Sequence, residues 1–261
     1  MKIEFITQDD SRYILPFFDE FVRCYGSQFE IGMISVCPTM GKRPRWQLAR
    51  ELFWLYGAQG FLQLSTGAVF DRLVGLRELG KDAKRYYTIA QLCRAYHIPF
   101  LRVGNPNDAV FCGALQKRRS EVLVSVACPF ILKEPLLRLP PRGCINIHHA
   151  PLPHYKGMMP TFWQMYDGKK TVGVTVHYME PAIDAGDALL REQLEIEPDE
   201  SLDHLIRRSK RHGAHVMARA LRQLSSGDSI GIPLNHSEGS YFTFPTRKEI
   251  REFQRGGLRA I

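Results

Sequence analysis

The chain has no run of roughly eighteen uncharged apolar residues, and its opening Met1-Lys2-Ile3-Glu4-Phe5 lacks the apolar core of a secretory signal. A membrane-spanning or exported protein is therefore not expected, and a cytoplasmic one is. The six cysteines, Cys24, Cys37, Cys93, Cys112, Cys128 and Cys144, never fall in the short paired spacings that grip zinc. Free thiols are expected, and no metal. Internal repeats and low-complexity tracts are also missing, which argues against a solenoid or a disordered chain. There is no acidic excess either: 35 Lys and Arg face 27 Asp and Glu, for a net charge of +8. That balance favours anionic partners, whether small molecules, tRNA or anionic lipid, without choosing among them.

What is present is an ordinary globular composition, 44% hydrophobic and 24% charged over 261 residues. Strand-like runs at 2–7, 29–36, 99–103, 122–127 and 143–147 alternate with helical patterns, which predicts a parallel α/β sheet. Asn107 or Asp108 is placed to cap a helix to about Lys117, and Thr88-Ile89-Ala90-Gln91 reads as a capping box. Further on, Pro160 opens a short helix to 166, and residues 171–179 alternate as a half-buried strand. Residues 188–196 give another strand, and Ser201 begins a helix to about 224. That helix turns Leu205, Val216, Ala220 and Leu221 inward and Arg207, Arg208, Lys210 and Arg211 outward. Residues 1–226 are expected to form one domain, and 227–261 a strand and capped helix docked on it. Residues 38–87 are too long for a plain connection, and their spacing predicts a pair of amphipathic helices.

Chemistry enters with Asn146 and His148 at the end of the fifth strand and Asp184 downstream. An amide can donate to a developing oxyanion, an imidazole can carry a proton, and a carboxylate can orient or discharge it. This trio suits acyl transfer, and open α/β sheets place ligands at the carboxyl ends of their strands. An Asn-x-His pair by itself carries little information, because a strand-end histidine is commonly a hydrogen-bonded core residue.

The wider pattern carries more. With Asn146, His148, Pro153, Lys156-Gly157, Gly173 to His177, and Asp184 to Gly186, the chain resembles the folate-dependent formyltransferases; His149, Ala150 and Pro151 depart from their signature. The resemblance implies a Rossmann-like open, mostly parallel sheet of about seven strands with helices on both faces. It implies 10-formyltetrahydrofolate as the formyl-donating cosubstrate and a primary amine as acceptor. Asn146 would hold the oxyanion, His148 would stabilise it and carry protons, and Asp184 would accept the amine proton or favour the charged imidazole. The pterin would lie between Cys128, Pro129, Phe130, Ile131, Leu132 and Pro181, Ala182, Ile183, while His154, Tyr155, Lys156 and Gly157 would border the acceptor or folate tail.

Thr7-Gln8-Asp9-Asp10-Ser11 sets two carboxylates where the purine-pathway branch places a phosphate loop. An amino sugar on a nucleotide is therefore the expected acceptor, with methionyl-tRNA as the alternative. A non-catalytic nucleic-acid binder, motivated by Lys117-Arg118-Arg119 and Arg207 to Arg211, is the alternative of another class; it lacks interleaved aromatics. A metal site on His148, His149 and Asp184 is disfavoured, because adjacent residues of an extended segment point apart. Residues 38–87 are expected to pack on their own domain or against a second copy in a homodimer. Contact with a membrane surface is the less favoured reading.

Overall fold

Apolar, β-branched runs become buried strands here because an amphipathic helix after each carries the chain back across the sheet and covers one of its faces. The computed structural model describes residues 1–38, 44–227 and 231–261. In chain order the elements begin with β1 (Lys2–Gln8), α1 (Leu15–Tyr25), β2 (Glu30–Cys37), α2 (Arg45–Val74), α3 (Ile89–Tyr96), β3 (Phe100–Arg102), α4 (Ala109–Arg118) and β4 (Val122–Val126). They continue with α5 (Glu134–Leu137), β5 (Cys144–His148), β6 (Lys156–Gly157), α6 (Pro160–Tyr166), β7 (Thr171–Tyr178), β8 (Ala188–Glu195), α7 (Leu202–Ser226), β9 (Tyr241–Phe242) and α8 (Arg247–Arg255). Seven strands form one sheet in the order β3-β2-β1-β4-β5-β7-β8. The first five run parallel, β7 is antiparallel to β5, and β8 is antiparallel to β7. The fold is the Rossmann-like, mostly parallel α/β architecture that the resemblance implied.

One face of the sheet packs on α1, α3 and α7 through a core that includes Phe5, Phe17, Phe18 and Phe21, with T-shaped ring pairs around Phe5. A second cluster covers the other face with Phe111, Leu115, Leu132 and Leu136. A third joins Leu55 and Tyr56 of α2 to Ala150, Phe162 and the carboxyl-terminal Phe244, Ile250 and Phe253. The ends of the helices follow their sequence signals: Ser201 accepts from the His204 N–H, and Thr246 and Glu249 close a capping box. Thr88 likewise accepts from Gln91, but the Gln91 side chain does not complete the box. It accepts from the Tyr87 N–H and donates to the carbonyls of Val74 and Arg77, closing the end of α2.

One expectation is corrected and another is met. β7 is buried on both faces, not one, because Gly173 and Thr175 meet the segment after β5, with Thr175 Oγ1 donating to the Ala150 carbonyl and Gly173 against Pro151, while His177 is covered by Asn146 and Asp184. The pair of helices predicted in 38–87 is present as the two halves of α2, joined at Gly57. There φ is 68° and ψ 178°, a conformation open in practice only to glycine. Residues 39–43 of that stretch lie outside the described residues. Among the described residues no helix is long and apolar enough to cross a membrane.

Candidate active site

Alternation along β5 sorts its residues: Cys144, Asn146 and His148 share one face of the sheet, and Ile145, Ile147 and the following His149 share the other. On the first face, antiparallel register sets His177 of β7 directly opposite Asn146. Asn146 Nδ2 lies 3.1 Å from His177 Nε2, and His177 Nδ1 lies 2.7 Å from the Tyr178 carbonyl. A carbonyl can only accept, so Nδ1 carries the proton and Nε2 is the acceptor of one Asn146 N–H. Burial pushes the His177 imidazole down to about 4, which keeps it neutral and keeps that acceptor in place. The amide is thereby fixed with its nitrogen toward His177, and its second N–H has no partner among the described residues.

The turn between β7 and β8 folds back to bring in Asp184, whose backbone is left-handed at φ 49°. Asp184 Oδ2 accepts the Gly157 N–H at 3.1 Å. Its two oxygens each stand 3.7 Å from an imidazole nitrogen, Oδ2 from His148 Nδ1 and Oδ1 from His177 Nε2. Such distances exceed a hydrogen bond, and catalytic contacts of this kind commonly tighten only with substrate in place. His148 Nε2 donates to the Tyr155 carbonyl at 2.8 Å, so the ring offers Nδ1, on its Asp184 side, for proton exchange. Two glycines permit this closure. A Cβ on Gly157 would meet the Phe242 carbonyl at 2.3 Å, and one on Gly186 the Tyr178 carbonyl at 2.1 Å.

The remaining predicted residues divide. Tyr155 is not a lining side chain: its ring stacks on Phe242 and its hydroxyl donates to Asp167, so only its backbone carbonyl reaches the site. His154 is exposed, and Lys156 is half-buried in the short ribbon formed by β6 and β9. In the loop after β4, Leu132 is part of the core beneath, whereas Phe130 is half-buried and Ile131 exposed. Asn107 braces this loop by donating to the Ile131 carbonyl and accepting from the Lys133 N–H, in place of the helix cap expected of it. Across the site, Pro181, Ala182 and Ile183 are exposed. The neighbouring Cys37 thiol and burial hold the Cys128 thiol well above its ordinary range, so it is no nucleophile.

His149 faces α7, where Nδ1 lies 3.3 Å from Ser209 Oγ and burial keeps the ring neutral. It therefore shares no ligand position with His148 and Asp184. His177, absent from the expected site residues, joins the site because two strands distant in sequence pair in one register. Its place in the Gly173 to His177 run was the available signal.

The basic clusters are used within the fold. Arg118 pairs with buried Glu4, Arg207 with Asp203, and Arg208 with Glu200. Lys210, expected to point outward, lies on the face of α7 that carries Asp203 to Arg12 and Tyr13. Burial pushes its ammonium down to about 7 against the pull of Asp10.

A family model described as "Formyl transferase" matches residues 83–221. The methionyl-tRNA formyltransferase of Alkaliphilus oremlandii is 33% identical over 153 residues, which are 59% of this chain and 49% of that protein. That of Syntrophus aciditrophicus is 36% identical over 147 residues, 56% and 47% of the respective lengths. The chain thus spans about half the length of the curated relatives it matches. Among solved structures, a sugar N-formyltransferase from Shewanella sp FDAARGOS_354 has a TM-score of 0.59 at 15% identity, covering 97% of this chain and 87% of that one. Glycinamide ribonucleotide transformylase 1 from Symbiobacterium toebii gives 0.58 at 16% identity, over 87% and 88%. Likeness at such identities is likeness of fold.

Proposed function

Because that family model spans more than half of its residues, the chain belongs to the formyl transferase family, and from that premise we propose that it moves a formyl group from 10-formyltetrahydrofolate to a primary amine of a small acceptor. The observation that carries the proposal is the meeting of His148 and His177 at one carboxylate, Asp184, with Asn146 held beside them by His177.

In this reading the acceptor nitrogen attacks the formyl carbon, and the carbonyl oxygen takes up negative charge. The uncommitted N–H of Asn146 donates to that oxyanion, held in position by neutral His177. The attacking nitrogen sheds a proton to Asp184, directly or through His148 Nδ1. As the intermediate collapses, the bond from the formyl carbon to the folate nitrogen breaks and that nitrogen takes the proton that Asp184 or His148 Nδ1 received from the amine. A charged His148, with Nε2 tied to the Tyr155 carbonyl, stabilises the oxyanion electrostatically. Phe130, Ile131 and Ile183 are the apolar groups available to the pterin.

For the acceptor, an amino sugar on a nucleotide is favoured over a phosphorylated glycinamide. Asp10 Oδ1 already takes the N–H groups of Arg12 and Tyr13, the donors a phosphate would need in the loop after β1. Methionyl-tRNA is the second reading, favoured by what the curated relatives are named for. Incubation with 10-formyltetrahydrofolate and a panel of nucleotide amino sugars, amino acids and methionyl-tRNA, followed by mass spectrometry, tests both. One acceptor should gain a single carbonyl unit with release of tetrahydrofolate. If folate is bound but no amine in the panel is formylated, the proposal fails.

A further inference from the structure

We propose that α2 docks the protein on an anionic lipid surface, presenting the acceptor side of the site to amines carried on lipid headgroups. The docking stands on surface chemistry alone; the clause about the acceptor rests on the formyl-transfer reading.

Beyond its kink at Gly57, α2 is barely covered. Leu62, Val69 and Leu73, spaced to share one helical face, and Leu76 in the turn just past the helix leave 64, 61, 64 and 75% of their surface in solvent, and Phe70 beside them leaves 56%. Single exposed apolar side chains are commonplace on proteins, but several on one helical face, here interrupted only by Ser65 and Thr66, mark a surface that meets something. From Leu52 to Phe70 no residue is charged.

Cations sit at both ends of this stripe. At the near end Arg50 lies over the rings of Trp46 and Trp54, at 5.1 and 4.9 Å, and Trp46 is exposed. Toward the far end Arg72, Arg77, Lys81, Lys84 and Arg85 outnumber Asp71, Glu78 and Asp82, with Asp71 paired to Arg85. Exposed apolar groups with tryptophan and flanking cations are what an interfacial helix needs, the first entering the acyl boundary and the last meeting anionic headgroups. The same charges argue against a second copy as the occupant, since pairing two such faces in either direction sets cationic ends together. Because no described helix is long and apolar enough to span a bilayer, the helix would lie in the interface.

The placement of α2 joins this surface to the chemistry. Tyr56 OH lies 2.7 Å from Tyr13 OH, and Asp71 accepts from Ser11 Oγ at 3.2 Å, so α2 grips the loop after β1 on both sides of its kink. Leu55 and Tyr56 also share a core cluster with Ala150, two residues beyond His148.

Co-sedimentation with vesicles of phosphatidylcholine alone, or mixed with phosphatidylglycerol, tests the docking. The protein should pellet with the anionic vesicles, and Leu62→Gln/Val69→Gln/Leu73→Gln should weaken that binding by at least about tenfold. Circular dichroism and transfer to a water-soluble amine should stay unchanged in the variant. Absence of vesicle binding, or equal binding by the variant, overturns the proposal. So does sedimentation velocity that shows a dimer, broken by the triple substitution, in a protein indifferent to vesicles. Since pelleting needs no turnover, docking without formyl transfer would sink only the catalytic reading.

Discussion

The segment where β5 meets β7 and the far half of α2 are built on opposite principles. Between the strands, polar groups are buried or half-buried and nearly every one has a named partner: Asn146 on His177, His177 on Tyr178, His148 on Tyr155, Asp184 on Gly157. On α2 past Gly57 large apolar groups are exposed among polar ones, and most of the surface of Leu62, Val69, Phe70 and Leu73 meets no other part of the fold. Buried polar groups persist only when satisfied, and such a network holds its members in one geometry. Uncovered apolar groups persist only where something else covers them or where their exposure is tolerated. The first arrangement suits chemistry at a point; the second suits adhesion over an area.

If that contrast is right, substitutions in the two regions should damage different properties. The largest effect belongs to the first region. Asn146→Ala removes an oxyanion donor and Asp184→Asn a proton acceptor, and each should lower kcat by on the order of a hundredfold or more, with folding intact by circular dichroism. Normal turnover of either variant with a true acceptor would break the assignment.

A pH effect comes next. His177 is neutral in the fold, with its pKa held near 4 against an ordinary 6.5, and burial depresses His149 in the same direction. The unfolded chain takes up these protons first as pH falls. The stabilisation is therefore complete above about 6.5 and is lost on descent through about 4, by on the order of 3 kcal/mol for His177. Urea midpoints should fall over this window, and His177→Gln should flatten part of the fall. A slope unaltered by that substitution would show that His177 is not the titrating group.

The smallest effect lies at the hinge between the packed and exposed halves of α2. Gly57→Ala forces a side chain into a glycine backbone conformation at about 1–3 kcal/mol, although nothing lies within 4 Å of the new Cβ. Thermal denaturation should show a modest drop in Tm with transfer activity retained. An unchanged Tm would mean that the kink relaxes, leaving the two halves of α2 less distinct than described.

Much of this was legible along the chain. The strands of the sheet fall within a residue or two of their apolar runs, and Ser201, Thr88 and Thr246 cap the helices they precede. Asn146, His148 and Asp184 announced themselves by type and spacing. What was not legible depended on register and on neighbours. His177 enters the site through antiparallel pairing across about thirty residues. Tyr155 keeps its ring out of the site because Asp167 and the distant Phe242 hold it. Lys210 looked like one more cation on a solvated face until α7 was laid against the loop after β1.

Local composition determined which segments of this protein would be strands, helices and turns, since propensity, periodicity and capping act over a few residues and need nothing remote. It also fixed which chemical groups were on hand. Tertiary structure alone decided which of them met, which nitrogen of each histidine carries a proton, and which apolar helix face was left uncovered. Those outcomes depend on partners brought from distant parts of the chain, and on the burial that their arrival creates.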